Sequence, residues 1–430
     1  MTPSGRKLST ILLLSSFLLS LGRSLEIDEK RQIHSDPYSL DYILHESSSI
    51  ATRADGSLVI LGCNLLFVGD TAECAIHVVG LSGPVITYPI RHEGTLRSVP
   101  KVPEKNIVPF LKFLKRTSFD MIENVAYLLF IQPTGDSWDH DYVTMLAVDL
   151  TSGTVSKFNL PSDSTYLNGR ASLSEYISLI VDHNGANLIL KDPSVCGDLM
   201  PRCKFTFNKR GERLGGPFSF PIESGHATIS FPRTMESADK GVLVFQDNLY
   251  EVNSIYIDTN GNTTVLHRFK NLPTRFFDTG DLYLACKYTH NLKLNLMDCV
   301  QYDWKQNKTV QLRLTPSNFS IEGDQQLIAS VASLDKSTFL VAYFKCREDG
   351  QPGCSALVSS MTLDGKVLKT TRLFDDLYAK PHNAHQPAIV EVENQFCFYI
   401  FYNAESNVED FEINYDLLNV HTKCIPRSDL

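Results

Sequence analysis

The stretch IYIDTNGNTTV, residues 255–265, reads as an apolar strand, a polar turn at Gly261 and a second strand. Gly and Asn tolerate the positive φ that tight hairpin turns demand, so a turn rich in both has a physical cause. Six more segments repeat the pattern: VVGLSGPVITY, AVDLTSGTVSKF, KFTFNKRGERL, VQYDWKQNKTVQL, SMTLDGKVLKT and NYDLLNVHTKC. The seven turns sit at Gly83, Gly153, Gly211, Gly261, Asn307, Gly365 and Asn419, spaced 46 to 70 residues apart. Recurrence at about this period marks a repeat architecture.

A second hairpin precedes each of these. Its turns are RADGS near Asp55, IENVA near Asn124, VDHNGAN near Asn184, SADKG near Asp239, FDTGD near Gly280, SLDKS near Asp335 and VENQF near Asn394. Apolar, strand-prone runs such as GVLVF, TFLVAYF and QFCFYIF follow them. Each unit is therefore four antiparallel strands, A to D, and only residues 108–115 suggest a helix. The predicted fold is all-β, a β-propeller of four-stranded antiparallel blades. Seven blades are favoured; six stay open, because the first spacing is loose and the second blade is poorly marked before Val125.

With 43% hydrophobic and 21% charged residues, the chain has the composition of a folded globular protein rather than a disordered one. Residues 1–24 place Arg6 and Lys7 before an apolar run from Ile11 to Leu21, then Gly22 and Ser24 at small-residue positions, the pattern of a secretory signal peptide. Residues 25–47 are expected to be an N-terminal arm or a ring-closing strand, and residues 48–430 a single propeller domain. No later run approaches the roughly 20 apolar residues of a membrane helix, so the chain is expected to be secreted, without a membrane span and monomeric. The terminal RSDL departs from the usual ER-retrieval tetrapeptide. A net charge of −9 with no basic cluster argues against a nucleic-acid partner.

Ten cysteines in a secreted chain suggest disulfides. Cys63–Cys74, Cys196–Cys203, Cys286–Cys299 and Cys346–Cys354 each flank a B-to-C connection, where antiparallel neighbours come within bonding reach. Cys397 and Cys424 pair by exclusion, although this register puts them on strands B and D, which are not neighbours. Glycosylation signals of the form Asn-x-Ser/Thr occur at Asn262, Asn307 and Asn318. Two of them fall in C-to-D turns, so glycans would crowd the end of the ring made by A-to-B and C-to-D turns. The opposite end, made by B-to-C and D-to-A connections, is the expected binding face.

No nucleophile elbow, HExxH, Walker A or GxGxxG motif is present. PTGDSWDHDY places Asp136, Asp139, His140 and Asp141 in the second B-to-C connection, a set that could hold a divalent cation, although a solvated acidic loop explains it as well. KPHNAHQP places His382 and His385 before the seventh blade, as general base or metal ligands or as plain loop polarity. No cofactor is expected beyond such a cation. The turns DTNGNTT at Asp258 and LDGK at Asp364 are similar to the Asp-box turns of sialidase-like propellers, whose pattern is Ser/Thr-x-Asp-x-Gly-x-Thr-aromatic. They depart from it in having Val265 or Val367 near the aromatic position and one extra residue before Gly261. Asp-box turns are structural, so the resemblance implies hairpins and no catalytic role.

The expected function is binding of an extracellular protein, glycan or small molecule through the B-to-C and D-to-A face. The alternative is an extracellular hydrolase or lyase at the mouth of the central channel, with Asp139, His140, His382 and His385 as its candidate catalytic residues.

Overall fold

A computed structural model describes residues 27–34, 50–53, 55–66, 71–90, 118–133, 141–158, 177–182, 185–190, 193–198, 202–220, 226–230, 241–248, 251–258, 262–269, 275–278, 282–291, 294–303, 308–313, 329–335, 337–346, 353–362, 365–377, 387–403 and 417–430. These form an all-β propeller whose described sheets are seven, each of four antiparallel strands.

The first holds β2 (Ile50–Thr52), β3 (Leu58–Leu66), β4 (Thr71–Val79) and β5 (Ile86–Ile90), in that order. The second holds β6 (Ser118–Ile122), β7 (Val125–Pro133), β8 (Asp141–Asp149) and β9 (Val155–Lys157), and the third β10 (Ile177–Asp182), β11 (Gly185–Leu190), β12 (Cys203–Asn208) and β13 (Arg213–Ser219). The fourth is β14 (His226–Ser230), β15 (Gly241–Asn248), β16 (Glu251–Asp258) and β17 (Thr263–Phe269); the fifth is β18 (Arg275–Asp278), β19 (Leu282–Asn291), β20 (Leu294–Asp303) and β21 (Lys308–Arg313). The sixth comprises β22 (Ala329–Ser333), β23 (Thr338–Cys346), β24 (Cys354–Thr362) and β25 (Val367–Leu377). First strands of successive blades are neighbours, as β2, β6 and β10 show, and so are β18, β22 and β26 (Ala388–Val392).

The seventh sheet is assembled from both ends of the chain. Its order is β26, β27 (Gln395–Asn403), β28 (Leu417–Pro426) and β1 (Asp28–His34). Here the structure corrects the sequence reading. NYDLLNVHTKC is not a hairpin turning at Asn419: β28 runs straight through that residue, and the outer strand is β1, with Asn419 opposite Gln32. The Gln32 side-chain amide donates to Asn419 Oδ1 at 3.0 Å. The same shift puts Cys397 and Cys424 on adjacent strands in direct register, so they lie on strands B and C rather than B and D. They are disulfide-bonded, as are Cys196–Cys203 and Cys346–Cys354. The backbone register also sets Cys63 opposite Cys74 and Cys286 opposite Cys299.

The apolar runs are continuous because second strands bury both faces, one against each neighbouring blade. On β27, Cys397, Tyr399 and Phe401 pack with Leu58 and Ile60 of the first blade. Phe396, Phe398 and Ile400 pack the other way, with Leu340 and Phe374 of the sixth. Likewise Val59 and Leu61 join Ala126 and Leu128, while Tyr127 and Leu129 join Leu188 and Phe205. Each such side chain contributes about 1.5–3 kcal/mol by leaving water. The cores thus lie between blades. The predicted helix at 108–115 lies outside the described residues, as do residues 1–24.

Candidate functional site: the loop end of the ring

The two ends of the blades are made of different material. At the turn end, Gly83, Gly153, Gly211 and Gly365 hold φ between +72° and +85°, the left-handed geometry anticipated from their spacing. Short polar residues complete the turns. Asp55 Oδ1 accepts the Ser57 backbone N–H at 2.9 Å and its hydroxyl at 2.5 Å. Asp335 accepts the same two groups from Ser337 at 2.7 and 2.9 Å. In the β8–β9 turn, Asp149 takes the Thr151 N–H at 2.8 Å and the Ser152 hydroxyl at 3.0 Å. Burial pushes the Asp55 and Asp335 carboxyls up, but these hydrogen bonds outweigh it and hold both below the ordinary value. Asp149, more exposed, is lowered by the Thr151 N–H above all.

Turns of successive blades are also tied sideways. Tyr399 Oη donates to Gly56 O at 2.8 Å, from seventh blade to first. Arg53 Nη2 donates to Asn124 Oδ1 at 2.6 Å, from first to second, and Lys209 Nζ reaches Glu123 Oε2 at 2.9 Å, from third to second. Arg427 Nη2 donates to Leu334 O, from seventh to sixth, while its other nitrogen meets Glu391 at 3.1 Å. The last residues dock here too: Ser360 Oγ donates to Leu430 O at 2.8 Å and Lys369 Nζ to Asp429 O. RSDL therefore lies against blade six instead of projecting as a free tail.

The loop end carries the longest connections, 91–117, 159–176, 314–328 and 404–416, together with 378–387, and at the turn end 231–240 between β14 and β15 equals the last of these in length. Its best-described part is the third blade, where α1 (Pro193–Cys196) is tied to β12 by the Cys196–Cys203 disulfide, Cα to Cα 5.4 Å. The adjoining Arg202 is 1% exposed and its carbonyl accepts the Phe220 N–H at 3.0 Å.

Of the sequence-nominated residues, Asp136, Asp139, His140, His382 and His385 lie outside the described residues, and Asp141 is placed only as the first residue of β8. Topology nonetheless assigns their connections: 134–140 joins β7 to β8, and 378–387 joins β25 to β26, both at the loop end. Asn262 is exposed immediately before β17; Asn307 and Asn318 lie outside the described residues. Among the described residues, no three His, Cys, Asp or Glu side chains gather as a metal site, and no helix is long and apolar enough to cross a membrane.

Sequence reasoning passed over two buried histidines. His77 Nδ1 lies 3.0 Å from Thr87 Oγ1, and burial lowers its pKa to about 4. His421 Nε2 lies 3.0 Å from Tyr402 Oη, with the Phe374 ring edge-on at 5.2 Å. Burial, then Lys30, lowers it to about 4 as well, and burial raises the Tyr402 phenol. Each is a neutral ring with one hydroxyl partner inside an apolar seam, which suits packing rather than proton transfer. Arg31 was also missed. It donates to Gly80 O of the first blade and to Thr422 Oγ1 on the adjacent strand of its own sheet, and the polar run DEKRQ around it gives no sequence sign of either contact.

No protein-family model matches the chain, and no curated protein matches it. Among solved structures, the chain is similar to the polysaccharide lyase Uly1, at 8% identity over 93% of this chain and 99% of that one, with a TM-score of 0.47. The GH74 xyloglucanase from Xanthomonas campestris aligns at 11% identity over 91% of this chain and 55% of its own, with a TM-score of 0.42. An oligogalacturonate lyase from Vibrio parahaemolyticus aligns at 9% identity over 74% and 93%, with a TM-score of 0.33. At these identities and scores the likenesses carry no function across.

Proposed function

We propose that this protein is an extracellular propeller that engages its ligand with the loop end of the ring. One observation carries the reading: the described turns are closed by self-bonded hairpins and sideways ties, whereas the longest connections, 91–117, 159–176, 314–328 and 404–416, leave from the other end. A rigid scaffold presenting long loops is the usual way to build a recognition surface. Secretion belongs to the same reading, supported by the basic and apolar pattern of residues 1–24 and by three disulfides, which persist in oxidising compartments. The ligand is an extracellular protein, glycan or small molecule met by a monomer.

A hydrolase or lyase is the second reading, and one observation favours it. The two connections richest in candidate chemistry, 134–140 and 378–387, belong to blades two and seven, and both blades pack against blade one. An acid, a base or a metal ligand from each would meet near the channel mouth.

The test uses the secreted full chain on oligogalacturonate and xyloglucan, the substrates in the names of two similarly shaped proteins, alongside a glycan array. Reducing ends report hydrolysis and ultraviolet absorbance of unsaturated uronides reports elimination. Turnover lost in H382A/H385A or D139A/H140A supports the enzyme, and array binding without turnover supports the binder. Binding or turnover that survives every loop-end substitution and is lost in K209A, at the turn end, overturns the proposal.

A further inference from the structure

We propose that Asn262 carries an N-linked glycan and that this glycan guards the open edge of β17. The inference rests on the secretory reading above. Asn262-Thr263-Thr264 meets the acceptor pattern, and residues 262–265 are all exposed where the chain leaves the β16–β17 turn. β17 is the outermost strand of its sheet, hydrogen-bonded to β16 alone. An outermost strand offers unpaired backbone groups to another chain, and proteins blunt such edges with charge, proline or cover.

Three other outer strands that expose large apolar side chains show the devices in use. Exposed Ile86 shares β5 with Pro89; Leu214 and Phe218 share β13 with exposed Arg213 and Pro217; Leu368 lies between exposed Lys366 and Lys369. Val265, 55% exposed, shares β17 with Arg268 three residues further on, but the first half of the strand, Thr263 to Leu266, contains neither charge nor proline. The sequon stands at the uncharged, proline-free end of the strand. Asn262 and Val265 are three residues apart, about 10 Å along a strand, within the sweep of a branched glycan.

The test expresses the full chain in a secreting eukaryotic host. Peptide 241–268, which holds this one sequon, is read by mass spectrometry after enzymatic deglycosylation in heavy-oxygen water. Conversion of Asn262 to labelled Asp is expected. N262Q and T264A should each lose one glycan, keep an unchanged melting temperature and form concentration-dependent oligomers, with V265K in the N262Q background restoring a single species. An unmodified Asn262 in protein recovered from the medium overturns the glycan, and N262Q that stays monodisperse overturns its guarding role. A parallel chain routed by an unrelated signal peptide separates the two readings. Asn262 modified there, with the natural chain left in the cytosol, overturns secretion by residues 1–24 and leaves the site standing; unmodified in both, the site itself falls.

Discussion

At the turn end a connection such as β8–β9 closes with Gly153 N–H on Asp149 O at 2.7 Å, Asp149 N–H on Thr154 O at 3.0 Å and two side-chain bonds to the same aspartate. At the loop end, the connection from β27 to β28 takes residues 404–416 to cover the same kind of gap between adjacent antiparallel strands. A hairpin needs only two residues to reverse direction, so the extra length serves something other than chain reversal. The contrast assigns stability to one end and recognition to the other, and it is open to direct attack.

The heaviest blow should fall at Gly185, where β11 begins behind its turn. Its φ is +143°, and an added Cβ would stand 2.2 Å from Phe207 O and 2.9 Å from the Asn208 carbonyl carbon. Backbone cannot swing aside as a side chain can. Gly185→Ala should cost about 3 kcal/mol or more, from overpacking and an unfavourable φ together. A denaturant midpoint unchanged by this substitution would break the claim that the turn end is rigid.

Gly56→Ala probes the closure seam. The residue has φ +82°, its carbonyl accepts from Tyr399, and a Cβ would meet Val392 Cγ2 at 2.3 Å. The left-handed backbone costs about 1–2 kcal/mol and the crowding about as much again. Because the crowding atom ends a side chain, V392A should recover that part and leave the backbone part. A double mutant no better than the single would mean that the seam does not pack as described.

Acid tests the seams without mutation. His77 has a folded pKa of about 4, below the ordinary 6.5, so its stability contribution is intact above pH 6.5 and is lost as pH falls towards 4. The slope is about 1.4 kcal/mol per unit, up to about 3 kcal/mol in all. His421 acts in the same direction and window. Asp55, Asp149 and Asp335 are lowered from a smaller starting value, so their loss comes below that window. H77Q should flatten the upper part of a stability-against-pH curve; a curve already flat between pH 6.5 and 4 in the natural protein would contradict the buried, neutral ring.

The repeat, the turns and the four-stranded blades were legible because each hairpin turn must declare its positive φ locally, through Gly or Asn. Glu123 and Glu393 show the limit of that signal. Both adopt positive φ, at 50° and 54°, one residue before the Asn that drew attention, because the hairpins around them dictate the backbone. The seventh blade was misread for a different reason. Its outer strand comes from residues 28–34, within the segment expected as an arm or a ring-closing strand, but no local pattern at Asn419 can announce a partner almost 400 residues away, and Thr422 on the same strand gives as little warning of meeting Arg31. The buried histidines were invisible on similar grounds: burial between blades is a property of strand order in space. The loop-end candidates were legible only as composition, Asp and His in connections, which names an end of the ring without arranging any chemistry there.

The mildest prediction separates the two ends most cleanly. Four Gly-Ser residues inserted at Gly153 must break the β8–β9 turn, losing its two backbone bonds at about 1 kcal/mol each while the exposed aspartate bonds add little, so a loss of about 2 kcal/mol is expected. The same four residues inserted within 404–416 lengthen a connection that already spans its gap. Closure entropy rises by only about 0.6 kcal/mol for a full doubling of length, so the expected loss is smaller than that. Both proteins can be compared by urea denaturation, with the slope checked for two-state behaviour. Equal losses at the two sites would mean that 404–416 is as tightly built as a turn, and the division of labour between the ends would fail at its simplest point.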